Sequence, residues 1–146
     1  MMCNADMLPR IVIDTNVMVS AIRSRRGASF RLVSDVGRGR FEVTISVPLV
    51  LEYEAAMYEH KPENVSDDDV ETVLDYVCAV AQQQEIFYRW RPGLRDPKDD
   101  MVLEVAVAGR CRTIVTYNVR DFAGVERFGI RVVTPFHFLQ EIGVLS

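Results

Sequence analysis

Short, continuously apolar runs recur along the chain, separated by longer segments with mixed polarity. Such runs of four to eight residues, rich in strand-forming side chains, are typical of buried strands. The predicted strands lie at residues 10–14 (RIVID), 41–47 (FEVTISV), 85–90 (EIFYRW), 113–116 (TIVT) and 130–134 (IRVVT). Because they are almost entirely apolar rather than alternating, they indicate a sheet that is covered on both faces.

The segments between the runs carry apolar residues at helical spacing and recognisable start and stop signals. Pro48 opens a helix at its favoured first position, the sequence SDDD at residues 66–69 predicts a capping box, and Gly109 is a stop signal. Thr15 or Asn16 is expected to cap the first helix. Helices are predicted over residues 15–22, 28–36, 48–58, 67–83 and 98–108, and from Pro135 to the end.

The alternation of strands and helices predicts an α/β fold, a doubly wound three-layer domain with a mostly parallel five-stranded sheet. In such sheets, ligands bind outside the carboxyl ends of the strands. The length of 146 residues fits one domain. We expect a flexible lead-in at residues 1–9 and a single domain at residues 10–146.

Composition narrows the possible functions. No apolar run approaches the roughly 20 residues that span a bilayer, and the N-terminus does not resemble a signal peptide. Three cysteines and two histidines form no zinc pattern, and the cysteines are expected to be reduced thiols. The net charge is −4, but residues 1–48 carry seven Lys and Arg against four Asp and Glu, and the remainder is acidic.

Two acidic residues stand at places where chemistry is expected. Asp14 follows the first strand, where its carboxylate can point into the crevice at the sheet edge or cap the next helix. Glu52 lies on or beside an apolar stripe formed by Leu49, Tyr53 and Ala56. Burying a carboxylate is costly unless it is paired or bound to metal, so a site residue and a glutamate paired with an arginine both remain open.

The acids later in the chain include a predicted helix cap and candidate site residues. Asp96 precedes Pro97 and is predicted to be an N-cap, whereas Asp99 extends the buried stripe of its helix toward the crevice. Asp100 is expected at the surface. Asn118 and Asp121 follow the fourth strand at the same sheet edge, although an asparagine turn with a short helix explains them equally well.

Taken together, these acids are expected to converge at one edge of the sheet. Clustered carboxylates repel one another and need a cation, and ligands that are all oxygen favour Mg²⁺ or Mn²⁺ over Zn²⁺. Such a site can activate water and neutralise the charge that develops on a phosphodiester. The residues alone therefore point to a metal-dependent phosphodiesterase.

Four segments resemble the PIN-domain family, and specifically the VapC-like toxin nucleases of bacterial type II toxin–antitoxin pairs. They are IVIDTNVMVSAI, SVPLVLEYEAAM, DPKDDMVLEVAVAG and TIVTYNVRDFAGVERFGIRVVTPFHFL, and they span residues 10–139. The resemblance implies a cytoplasmic ribonuclease that uses Mg²⁺ or Mn²⁺. It also implies a homodimer and inhibition by a small cognate antitoxin protein.

By that resemblance, the metal-binding acids are Asp14, Glu52 and Asp99. The fourth family acid falls at Asn118, whose neutral oxygen would hold a second metal weakly, and Asp121 would supply the missing charge. Asp14 and Asp99 are then expected to bind the metal directly, and Glu52 and Asp121 to bind it through water or to help orient the nucleophile. Asn118 is expected to position water or the scissile phosphate. The RNA backbone is expected to follow the basic residues of the first loop: Arg23, Arg25 and Arg26.

Three other functions compete with the nuclease. A PIN-like domain that has lost catalysis would serve as an RNA- or protein-binding regulator, and Asn118 motivates that alternative. A phosphoacceptor of the receiver type needs an Asp at the end of the third strand and a Lys near the fifth, but no lysine follows Lys98. A phosphatase of the Asp-x-Asp-x-Thr type is disfavoured because Asn16 stands where the second Asp is required.

Overall fold

A computed structural model describes residues 7–86 and 96–146 of the chain. The five strands of these residues form one sheet in the order β3-β2-β1-β4-β5, and every neighbouring pair is parallel. The predicted parallel five-stranded sheet is confirmed. The strands are β1 (Arg10–Ile13), β2 (Glu42–Ile45), β3 (Gln82–Gln83), β4 (Thr113–Val115) and β5 (Arg131–Val133).

Six α-helices alternate with the strands, as the sequence pattern predicted. They are α1 (Thr15–Arg23), α2 (Ala28–Ser34), α3 (Val47–His60), α4 (Asp67–Val80), α5 (Pro97–Ala108) and α6 (Pro135–Glu141). Two short 3₁₀ turns, Val119–Phe122 and Val125–Phe128, lie between β4 and β5.

The centre of the sheet is covered on both faces. Successive strand residues point to opposite faces, yet Ile11, Val12 and Ile13 of β1 are all completely buried. Helix α5 packs on β1, β2 and β4, while α1 packs against α2 and α3. The result is the expected three-layer α/β/α arrangement, and it explains why the central strands β1 and β4 are almost entirely apolar.

The helix starts follow from local capping chemistry. Ser66 accepts a hydrogen bond from the Asp69 N–H and Asp69 accepts one from the Ser66 N–H, so the predicted capping box of α4 is confirmed. The prediction for α1 was wrong, because neither Thr15 nor Asn16 is its cap. Asp14 caps α1, and its side chain accepts a hydrogen bond from the Thr15 N–H.

The third strand was predicted too late in the sequence. Helix α4 ends at Val80 rather than near Gln83, because Ala81 adopts an extended backbone, and Gln82–Gln83 pair with β2. Glu85 and Ile86 lie outside any strand, and residues 87–90 of the predicted run lie outside the described residues. The true strand is a short, exposed edge strand whose polar side chains carry no apolar signal.

Gly109 ends α5, as predicted, but it does not adopt the left-handed backbone that a glycine at a helix end often has. Gly109 ends the helix with a right-handed backbone, and it is required for packing, since a Cβ there would lie 2.8 Å from the Cγ2 of Thr44. The left-handed position falls instead on Arg110, with φ of 57°. No helix among residues 7–86 and 96–146 is both long and apolar enough to cross a membrane.

Candidate active site

The strand order creates a crevice between the carboxyl ends of β1 and β4. From β1 the chain crosses toward β2, and from β4 it crosses toward β5 on the other side. The division between these two directions is the topological switch point, where ligands bind in open parallel sheets. Because Ile13 pairs with Val115, the next residues, Asp14 and Thr116, face each other across this crevice.

Asp14 is held in place by bonds to both of its carboxylate oxygens. Its Oδ1 accepts a hydrogen bond from the Thr15 N–H at 2.7 Å, and its Oδ2 accepts one from the Thr116 Oγ1 at 2.7 Å. The side chain is only 5 % exposed. The interpretation of Asp14 as a helix cap is confirmed, and the same side chain lies at the carboxyl end of β1 beside Thr116.

Thr116 organises the turn beyond β4. Its hydroxyl oxygen accepts hydrogen bonds from the Asn16 Nδ2 at 3.2 Å and from the Asn118 N–H at 3.0 Å. The Oδ1 of Asn16 in turn accepts from the Tyr117 N–H at 3.3 Å. This network fixes the loop after β4 relative to the start of α1, so the crevice has a preformed wall.

Burial raises the pKa of Asp14 above its usual value. The hydrogen bonds from Thr116 and Thr15 oppose that effect because they stabilise the carboxylate, while the nearby charges of Asp121 and Asp96 raise the pKa further. The hydrogen bonds to Asp14 therefore offset only part of the free-energy cost of burying its ionised form.

Helix α5 brings three more acids to the crevice. Asp96 caps the helix, as predicted, and its Oδ1 accepts from the Lys98 N–H at 2.9 Å. Asp99 is buried, with 8 % of its surface exposed. The prediction that Asp100 lies at the surface was wrong: it is 6 % exposed, because the first turn of α5 packs into the domain on two adjacent sides.

The pKa of Asp99 is raised to about 7. Burial is the largest cause, followed by repulsion from the carboxylates of Asp14, Asp96, Asp121 and Asp100. These acids come from three separate parts of the chain. A carboxyl group with a pKa near 7 is half-ionised at neutral pH, so a positive charge placed nearby would bind in competition with a proton.

Glu52 is half-buried beside the stripe that α3 turns toward the core. The stripe consists of Leu49, Tyr53 and Met57, so Met57 takes the place that the sequence pattern assigned to Ala56. The Oε2 of Glu52 lies 3.3 Å from the Nζ of Lys98. The expected ion-pair partner was an arginine, and the lysine at the start of α5 fills that role.

Asn118 and Asp121 lie at the rim of the crevice and are exposed. The carbonyl of Asn118 accepts a hydrogen bond from the Asp121 N–H at 3.0 Å, which closes a short 3₁₀ turn. Asp121 is close enough to raise the pKa of both Asp14 and Asp99. The amide of Asn118 cannot add to that repulsion.

The basic residues of the first loop lie elsewhere. Arg23 is the last residue of α1, about 12 Å along the helix axis from Thr15. Arg23 and Arg25 line a cavity between α1, α2 and α4 that includes none of the crevice acids. Asp69 also lines this cavity, and Arg25 lowers its pKa. Arg26 is exposed in the same loop.

The donor set of the crevice suits a hard divalent cation. Every candidate ligand is an oxygen, and the mutual repulsion of Asp14, Asp99 and Asp121 is what a cation would relieve. In the conformation described for residues 7–86 and 96–146, no three His, Cys, Asp or Glu side chains surround a single point closely enough to enclose an ion. Mg²⁺ is usually held by one or two carboxylates and completes its coordination with water.

Three residues of the site were not identified from the sequence: Asn16, Lys98 and Thr116. Asn16 and Thr116 act through hydrogen bonds that depend on the pairing of β1 with β4, which a single sequence does not reveal. A signal for Thr116 existed, since Asp14 and Thr116 each follow an apolar strand directly. Lys98 was placed in the helix, but its charge was not matched to Glu52.

We expect Thr116→Val to weaken Mn²⁺ binding about tenfold at pH 7, in the range seen when a hydrogen bond to a metal ligand is lost. Removal of the hydroxyl frees the Asp14 carboxylate and raises its pKa further. Thr116→Ser keeps the hydroxyl and is the matched control, with affinity close to that of the wild type. Calorimetric titration with Mn²⁺ measures both, and equal affinities for Thr116→Val and the wild type would show that Thr116 does not position Asp14.

Comparisons with known proteins agree with this geometry. The family model of the PIN domain matches residues 10–120, which include β1, β4 and the crevice acids Asp14, Asp96, Asp99 and Asp100, and it ends one residue before Asp121. Among solved structures, a chain in the crystal structure of VapBC2 from Rickettsia felis bound to a DNA fragment from their promoter is similar in fold. Its TM-score is 0.57 at 16 % identity, over 84 % of this chain and 96 % of that one.

A search of curated protein sequences gives no significant match. The family model nevertheless covers far more than half of the chain, and its span begins at the first residue of β1. The resemblance expected from the four sequence segments is confirmed by that match. The chain belongs to the PIN-domain family.

Proposed function

We propose that this chain is a Mg²⁺- or Mn²⁺-dependent ribonuclease, the toxin of a VapC-like toxin–antitoxin pair. The observation that carries the proposal is the electrostatic coupling of Asp99 to Asp14, Asp96, Asp121 and Asp100 at the switch point of a parallel sheet. PIN domains are generally nucleases, and clustered carboxylates are the usual means by which oxygen ligands hold such metals. We further propose that residues 10–146 form the catalytic unit and that it works in the cytoplasm.

In this proposal, Asp14 and Asp99 bind the metal directly. Both are buried acids on separate elements, and the bonds from Thr15 and Thr116 keep the Asp14 carboxylate at the mouth of the crevice. Glu52 and Asp121 complete the coordination directly or through water. If Glu52 binds through Oε2, its contact with the Nζ of Lys98 at 3.3 Å must open, because the ammonium and the metal would compete for that oxygen.

The bound metal would supply an acidified water and neutralise charge on the phosphodiester. The protein's own part is to position the reactants. The amide of exposed Asn118 can donate to a phosphate oxygen or orient the attacking water, and the hydroxyl of Thr116 keeps Asp14 from rotating away. In-line attack by water on phosphorus with loss of the 3′ oxygen gives a 5′-phosphate and a 3′-hydroxyl.

The proposed activity is tested by incubating labelled RNA with the protein in Mg²⁺, in Mn²⁺ and in EDTA. We expect cleavage with either metal, none in EDTA, and fragments that carry a 5′-phosphate and a 3′-hydroxyl. Cleavage that persists in EDTA, or a 2′,3′-cyclic phosphate product, would mean that the carboxylates do not act through a metal. A single-stranded DNA of the same sequence shows whether the substrate class is RNA.

Two partners are part of the same proposal. The fold likeness to a chain of the VapBC2 structure supports a cognate antitoxin protein as inhibitor. The proposed homodimer follows from the family resemblance, and α3 offers it two exposed apolar side chains one turn apart, Val47 and Leu51.

A second candidate function is a regulatory module that binds RNA or protein without cleaving it. One feature favours it: the family resemblance implies an acid at the position where this chain has Asn118. The two functions separate in one experiment, because a module would bind RNA in the presence of Mn²⁺ and leave it intact.

A further inference from the structure

Several arginines lie at the amino ends of β1 and β4, at the opposite end of the strands from the acids. A cavity of about 440 Å³ opens there, lined by Met7, Leu8, Pro9, Thr113 and the three arginines Arg10, Arg110 and Arg112. In the pairing of β1 with β4, Ile11 faces Thr113, so the preceding residues, Arg10 and Arg112, are also neighbours. The amino and carboxyl ends of these two strands therefore carry opposite charge.

Two of the three guanidinium groups have no protein partner in the described parts of the chain. Arg10 is engaged, since its Nε lies 3.3 Å from the Oε1 of Glu42 and its Nη1 donates to the Gly109 carbonyl at 3.5 Å. Neither Arg110 nor Arg112 makes a side-chain hydrogen bond or ion pair within residues 7–86 and 96–146, and both are exposed. Like charges that line one cavity repel one another, and an anion bound there would reduce that repulsion.

Arg110 occupies its position at a conformational cost. It is the one non-glycine residue with positive φ, 57°, in the described segments. The Arg110 N–H donates to the Val107 carbonyl and the Cys111 N–H to the Ala106 carbonyl, which is the Schellman pattern of a helix end. That pattern normally takes glycine at the left-handed position, so an arginine there is strained.

The packing of the helix end does not explain the arginine. Gly109 is fixed by its contact with Thr44, so the left-handed residue must be the next one, but nothing in that geometry requires a side chain at position 110. Strained residues that survive in a fold cluster at functional sites. What the arginine adds at position 110 is a guanidinium group in the cavity beside Arg112.

We propose that this arginine-lined cavity binds the phosphodiester backbone of single-stranded RNA, outside the acidic crevice. The inference rests on the proposed function, because it names the surface that attracts the substrate. The whole chain carries a net charge of −4, and its crevice is acidic, so a polyanion needs a basic surface elsewhere. Guanidinium groups bind phosphate through paired, charge-assisted hydrogen bonds, and Met7 and Leu8 offer apolar surface to a base.

The test is binding of a fluorescein-labelled single-stranded RNA of 20 nucleotides, in EDTA so that no cleavage occurs. We expect Arg110→Gly and Arg112→Ala each to weaken binding about tenfold and to flatten the slope of log Kd against log salt by roughly 0.7. Arg131→Ala is the matched control. It removes an arginine from the same sheet edge, but one that pairs with Glu141 and does not line the cavity, so we expect a change below about twofold.

Arg110→Gly has a second readout that separates binding from folding. Because glycine is the favoured residue in the left-handed position, the substitution should raise the Tm by about 2–4 °C while it weakens RNA binding. A variant that is more stable and binds less well cannot be explained by loss of structure. Unchanged RNA affinity in both Arg110→Gly and Arg112→Ala would overturn the proposal, as would tight binding of double-stranded DNA or tripolyphosphate that equals that of the RNA.

The two proposals can fail separately. Cleavage of RNA by the wild type in Mn²⁺ reports on the acidic crevice, and binding of RNA in EDTA reports on the arginine-lined cavity. If cleavage fails in the wild type but the RNA still binds at the arginines, the proposed activity is wrong and the binding site stands. If cleavage proceeds but the arginine variants bind RNA as the wild type does, the binding site is wrong.

Discussion

Asp14→Asn is expected to lower the rate of metal-dependent RNA cleavage by about 100-fold or more. The amide keeps the size of the carboxylate and one oxygen that can accept from the Thr15 N–H, so the cap of α1 survives. What disappears is the negative charge at the switch point, where one oxygen must bind the metal. The fold should therefore be retained while catalysis is lost.

The measurement is the initial rate of RNA cleavage in Mn²⁺, together with the Tm. Asp68→Asn is the matched control, since Asp68 is an exposed aspartate in the first turn of α4, away from the crevice. We expect that variant to cleave at the wild-type rate. An Asp14→Asn protein that melts normally and cleaves RNA within about threefold of the wild type would contradict the metal role of Asp14.

Asp99→Asn is expected to change stability in opposite directions with and without metal. The pKa of Asp99 is raised from 3.8 to about 7, chiefly by burial and then by Asp14. Between those pH values the folded chain binds more protons than the unfolded chain, so stability falls as pH rises. Part of the free energy of unfolding of the wild type depends on a neutral Asp99. That part is fully present below about pH 4 and is lost as the pH rises through 7.

Asparagine removes that loss because it never ionises. In EDTA at pH 8, Asp99→Asn should be more stable than the wild type by about 2 kcal/mol, a value discounted from 1.36 kcal/mol per pKa unit for screening by water. At pH 4 the two proteins should differ little. Urea unfolding at both pH values measures the difference, and a variant that is less stable at pH 8 would contradict the raised pKa.

With metal the order should reverse. At a Mn²⁺ concentration of 100 times its Kd, the wild type should gain about 2.7 kcal/mol, and Asp99→Asn should gain much less because it lacks a ligand. The gain of the wild type should also grow between pH 6 and pH 8, since the metal competes with a proton for Asp99. A gain independent of pH would place the ion away from Asp99.

The architecture was predictable from sequence because burial on two faces leaves a strong signal. The runs that became β1 and β4 are apolar after their first residues, Arg10 and Thr113, and the capping residue Ser66 marks a helix start chemically. The third strand could not be found in this way. It consists of two exposed glutamines whose strand conformation depends on pairing with β2, and pairing is not written in local sequence.

The site residues also fall into those that local sequence pattern reveals and those that depend on tertiary packing. Asp14 and Asp99 could be selected because each interrupts or extends an apolar pattern at a strand or helix end. Asp100 was misassigned because helical periodicity gives one buried face, whereas the first turn of α5 is buried on two adjacent sides. The contact between Lys98 and Glu52 joins α5 to α3 through tertiary packing, so only the folded structure reveals it.

A crystal soaked in Mn²⁺ at pH 8 tests the central claim most directly, through the anomalous scattering of the ion. The account predicts a peak in the crevice between β1 and β4, within about 2.0–2.6 Å of carboxylate oxygens of Asp14 and Asp99. Mn²⁺ bound only at other acidic positions, with this crevice empty in a crystal that holds the ion elsewhere, would contradict it.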